Sequence, residues 1–172
     1  AGGAESRYFR SRATAEAALA DEIATAGRAG WRLLIGFDFT CGYPAGFAAR
    51  LTGEARATAV WHWLAGQIAD EADNANNRFA VAAKMNRRLG PAPGPFWGRP
   101  AGLDLPDLPA KKTIDYAALA LAERRTVEHL EPRAQPVWKL YTTGAAGAQG
   151  LVGQPMLHRL ARRPGVAVWP FM

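Results

Sequence analysis

The sequence is poor in the residues that build disulfides and metal centres. One cysteine, Cys41, stands among 172 residues. No internal disulfide framework is possible, and a reducing, cytoplasmic setting is expected. The histidines His62, His129 and His158 are scattered and, with one cysteine, give no zinc-ligand spacing. No apolar run approaches the roughly 20 residues that a membrane span needs, so no membrane partner is expected. The opening stretch AGGAESRYFRSRATAEAAL is polar and of mixed charge, unlike a secretory signal. Acidic residues are in the minority, 15 against 21 Lys and Arg, for a net charge of +6. That balance suits a phosphate-bearing partner or another anion, such as a nucleic acid or a nucleotide. Arginine in a chain rich in Ala, Gly and Pro also serves solubility.

What is present is apolar residue content sufficient for a core, 49% of the chain. Length and composition predict a single domain over residues 1–172. The pattern reads as strand 7–12 (RYFRSR), helix 13–27 with Gly27 as its C-cap, then a strand in WRLLIGFDF, apolar on both faces. A short helix is expected over 45–52, longer ones over 55–71 and 77–89, the last stopped by Gly90 and Pro91. On 55–71, Val60, Trp61, Leu64 and Ile68 share a face. Residues 90–110 form a long Pro- and Gly-rich loop around Phe96 and Trp97, a length common for functional loops. A helix over 114–131 ends at Pro132. PVWKLY (136–141) reads as a short strand or extended piece, TTGAAGAQG as a Gly-rich loop, QPMLHRLARR as a helix closed by Pro164 and Gly165, and VAVWPFM as a final strand. Alternating helices and apolar strands predict an α/β fold, a mixed sheet with helices on its faces, with ligands beyond the strand ends.

Asp38 is the leading candidate for chemistry. A strand-end carboxylate can hold Mg²⁺ (or Mn²⁺), and two-metal sites clamp both oxygens in phosphoryl transfer; it equally suits an Asx turn or a helix cap. Asp70, Glu71 and Asp73 of DEADN, and Glu123 and Glu128, are further carboxylates, each read first as solvated surface charge. DEADN lies at a predicted helix C-terminus, where negative charge is mildly unfavourable, and could face a cation. Asn77 and Arg78 in DNANNRF can cap the next helix or hold phosphate and base edges. Trp97 in GPFWG can stack on a base or pin the loop to the core. Lys139, between PVW and the Gly-rich loop, can contact phosphate near a helix N-terminus. That loop lacks both the P-loop ending and the dinucleotide fingerprint. Cys41 is read as a buried, inert thiol.

Taken in order, GFDFTCGYPAGF, DNANNRF, GPFWGRP, RAQPVWKLYTTG and the closing VAVWPF resemble a family of bacterial proteins predicted to be RNase H-like nucleases. The likeness is to an alphaproteobacterial branch, some members of which carry labels tied to molybdopterin-guanine dinucleotide synthesis. The resemblance implies an RNase H-like fold with a carboxylate metal site in which Asp38 matches the family's strand-end Asp. The chain departs from the pattern in lacking the N-terminal hairpin, in Thr40 where a Pro is common, and in the Glu expected after the final strand. An incomplete sheet would leave an open edge, which favours pairing with a second copy as a homodimer. The resulting expectation is a metal-dependent, nuclease-like protein acting on nucleic acid or nucleotide phosphates. The competing one is a non-catalytic module that binds a nucleotide, a cofactor or a partner.

Overall fold

The computed structural model describes residues 4–90, 93–131 and 133–172. The fold is helical. No sheet forms among the described residues, and β-pairing is confined to two isolated bridges, Asp70 with Asn76 and Trp97 with Lys139. The expected α/β architecture, an RNase H-like mixed sheet, is therefore overturned. No helix among the described residues is long and apolar enough to cross a membrane. The chain divides into two compact units: residues up to Gly36 with Asp70–Asn76, and Phe37–Ala69 with Asn77–Met172.

The first unit is built on α1 (Arg12–Ala29). Ser11 caps it: its side chain accepts from the Thr14 amide, while Thr14 Oγ1 accepts from the Ser11 amide, a reciprocal box. The helix runs through Gly27, the expected C-cap, and stops at Gly30, whose φ of 69° is the left-handed turn that glycine adopts without strain. One of the DEADN acids, Asp70, meets a cation here. Asp70 takes a two-pronged ion pair from the Arg12 guanidinium at 2.7 and 2.5 Å. Asn74 accepts from the Arg12 amide and donates to the Arg10 carbonyl. The stretches 7–12 and WRLLIGFDF, both expected as strands, form no β-pairing among the described residues. Trp31 is 71% and Leu34 96% exposed. An apolar run makes a strand only where another strand accepts its ladder bonds, and none is offered.

The second unit holds α2 (Phe47–Thr52), α3 (Ala57–Ala65), α4 (Arg78–Leu89), α5 (Thr126–Leu130) and α6 (Ala146–Ala161). Val60, Trp61 and Leu64 of α3 are buried, as their spacing predicts. The core centres on four rings, Tyr43, Phe47, Phe96 and Trp138, with neighbouring centroids 4.5–5.9 Å apart, mostly tilted or edge-on. Those rings come from far-apart segments, and irregular chain carries much of the core.

Helix α6 corrects the Gly-rich loop. It begins inside that segment, and Gly147, Gly150 and Gly153 lie three residues apart on one buried face. A Cβ at Gly147 would overlap the Val137 carbonyl, and one at Gly150 the Thr40 hydroxyl. One at Gly153 would stand 2.8 Å from the Phe39 ring. These glycines let the helix press against backbone at Gly147 and against the Thr40 and Phe39 side chains at Gly150 and Gly153, which is close packing and not phosphate binding. The 114–131 helix shrinks to α5, because the buried residues Ile114, Tyr116, Leu119 and Leu121 do not follow a helical period. The carbonyls of 119 and 122 are taken by side chains instead, by Arg50 and by Trp138 Nε1. Pro91 and Pro132, the expected stops, lie outside the described residues. Residues 136–141 turn, with the Lys139 amide donating to Pro136, and the closing strand is a turn in which Val168 O accepts from residues 171 and 172.

Candidate functional site

Asp38 does not sit at a strand end. It is exposed, in a bend of chain that has no β-partner. The turn after it is a docking point. Gln154 Nε2 donates to Thr40 O at 2.9 Å, Trp61 Nε1 to Cys41 O at 2.7 Å, and Arg125 to Gly42 O at 3.4 Å. Burial pushes the Cys41 thiol upward in pKa, against the pull of Arg125, so it stays protonated and unreactive at neutral pH. Glu128 is not a solvated charge. It is buried and accepts from the Arg125 amide at 2.8 Å and from Arg125 Nε at 2.9 Å, closing the start of α5. Among the described residues no three His, Cys, Asp or Glu side chains gather in one place, so Asp38 has no set of fellow carboxylates for a nuclease-type centre.

The remaining candidates fall in one region of the second unit. Asn77 precedes α4, but its side chain turns back. Its oxygen accepts from the Ala69 amide at 3.0 Å and its amide donates to Gln67 O at 2.9 Å, so it splices the chain around 67–69 to the start of α4. Arg78, next along, lays its guanidinium over the Phe79 ring, 4.4 Å from the centroid. Phe79 in turn meets Tyr141 edge-on at 6.3 Å. Two residues before Tyr141, Lys139 forms the lone bridge with Trp97, flanked by Trp97 N to Trp138 O at 3.1 Å and Leu140 N to Trp97 O at 2.9 Å. Lys139 Nζ stands 5.9 Å from the Trp97 ring centroid and donates to Thr143 O and Gln135 Oε1, leaving one N–H for a ligand.

The result is two cations, each beside an aromatic face within the roughly 6 Å over which such pairs attract, with Tyr141, 42% exposed, edge-on to the first of the two rings. Gly98 permits the approach: its φ is +90°, and a Cβ there would come within 3.1 Å of the Tyr141 nitrogen. Rings offer stacking surface and cations offer phosphate contacts. The group contains no nucleophile beside a base. Sequence reasoning named Arg78, Trp97 and Lys139 but missed Phe79 and Tyr141; the signal was present, since both aromatics flank the basic residues it chose. The chain matches no protein-family model, no curated protein and no solved structure.

Proposed function

We propose that the chain is a non-catalytic module that binds single-stranded nucleic acid or a nucleotide on the surface formed by Arg78, Phe79, Trp97, Lys139 and Tyr141. The observation that supports it is the pairing of cation with ring at two adjoining places, Arg78 with Phe79 and Lys139 with Trp97. Bases stack on aromatic rings without regard to sequence, each such stack being worth about 1–3 kcal/mol. Lysine and arginine bind the phosphates between them, and the net charge of +6 steers a polyanion towards the protein. A cytoplasmic setting, where such ligands are abundant, goes with this reading and with the single thiol. A metal-dependent nuclease is supported less, because among the described residues no group of carboxylates gathers beside Asp38.

Fluorescence anisotropy with a labelled oligothymidylate, with ATP as competitor, tests the proposal. Binding should persist in EDTA. Tyr141→Ala should weaken it about tenfold, the effect of one lost stack. Arg78→Gln should flatten the dependence of log K on log salt by about one ion. No binding of either probe, or an unchanged affinity in Tyr141→Ala, would refute the assignment.

A further inference from the structure

A separate cleft in the second unit, about 510 Å³ in volume, is lined mainly by α3 and the segments on either side of it, with one residue each from α4 and α6. His62 of α3 and His158 of α6 both line it, together with Glu54, Trp63, Gln67 and Arg88. The two imidazoles, remote in sequence, have ring centroids 5.2 Å apart and planes inclined by 53°. We propose that His62 and His158 are paired ligands for one nitrogen-preferring divalent transition-metal ion, Cu²⁺, Ni²⁺ or Zn²⁺.

The geometry carries the argument. With metal–nitrogen bonds of about 2.0–2.1 Å, two imidazoles meeting one ion near the tetrahedral angle hold their centroids about 5 Å apart. The observed separation meets that requirement, and both rings border open cleft, so side-chain rotation can aim a nitrogen from each. Imidazole selects copper, nickel and zinc, whereas Mg²⁺ demands oxygen ligands. Both histidines occupy the last turn of their helices, where the partial negative charge of the helix end favours a cation.

The surrounding charges act in both directions. Arg88 in the cleft and Arg159 and Arg162 near His158 repel a divalent ion. Glu54, ion-paired with Arg56, attracts one. The same repulsion has a second effect. Burial, then His62, Arg162 and Arg159, lowers the pKa of His158. Two protein ligands leave the other coordination positions to water or to a ligand atom.

The test is calorimetric titration of the whole chain with CuCl₂ and ZnCl₂ at pH 7.5, followed by NMR of the imidazole protons during Cu²⁺ addition. One ion per chain is expected, with selective broadening of the His62 and His158 signals. His62→Gln and His158→Gln should each weaken binding at least about tenfold. The exposed His129→Gln should leave it unchanged. If His158→Gln misfolds, the exposed His62→Gln carries the test alone. Absence of binding at pH 7.5, affinity unchanged in His62→Gln, or loss in His129→Gln instead, would overturn the proposal.

Discussion

Gly147→Ala is expected to lower folding stability by about 2–3 kcal/mol, even though alanine gains roughly 1 kcal/mol over glycine inside a helix. The new methyl would overlap the Val137 carbonyl and come within 2.9 Å of the Lys139 carbonyl. Neither is the end of a flexible side chain. The Lys139 carbonyl already accepts from the Gly147 amide at 3.0 Å, so helix and turn cannot part without losing that bond. Thermal unfolding should show a midpoint several degrees lower, at roughly 2–4 °C per kcal/mol for a chain of this size. Gly27→Ala is the internal contrast. It lies in the interior of α1, and a Cβ there meets nothing within 4 Å. It should stabilise by about 0.5–1 kcal/mol. If the two substitutions shift the midpoint alike, α6 does not rest on backbone.

Asn86→Ala should cost more, about 3–5 kcal/mol. Asn86 is 1% exposed on α4 and serves the Pro- and Gly-rich loop with three hydrogen bonds. Its oxygen accepts from the Phe96 amide at 3.0 Å, and its amide donates to Phe96 O at 2.9 Å and Asp107 O at 2.8 Å. Each buried backbone group left without a partner costs about 1–3 kcal/mol. Gly94 makes the fit possible, since a Cβ there would lie 2.5 Å from the Asn86 Cα. Urea unfolding should report the loss, and limited proteolysis should cut within 93–109 first. The neighbouring exposed pair of Arg87 with Asp107 at 2.8 Å is the control, because Arg87→Ala should change stability by less than about 1 kcal/mol. Equal effects from the two would remove Asn86 from its role as the anchor of the loop.

These two sites show what the sequence concealed. Helices α3 and α4 are legible from periodicity, and Val60, Trp61 and Leu64 lie inside as their spacing requires. The sheet was an error of context: an apolar run such as WRLLIGF has the composition of a buried strand, but composition does not supply a neighbouring strand. Glycine at positions 147, 150 and 153 looks like loop chemistry until something is seen to press against it. Asn86 reads as an ordinary polar residue on a helix, because the groups it satisfies lie up to twenty-one residues away. Arg78, Trp97 and Lys139 were selected one by one for charge or ring, yet the fold brings them into one region. The His62 and His158 pair carried no spacing signal at all, since packing of α3 against α6 creates it.

The aromatic core has a kinetic corollary. Phe47, Phe96 and Trp138 touch one another although each is separated from the next by about forty to fifty residues of chain. Helices form locally and fast, but this core cannot exist until those long loops have closed, and rates fall as contacts become remote in sequence. A chain with the helix content of a quick folder should therefore fold at the pace of a β domain, and during that interval its rings stand open to chaperones and to other unfolded copies.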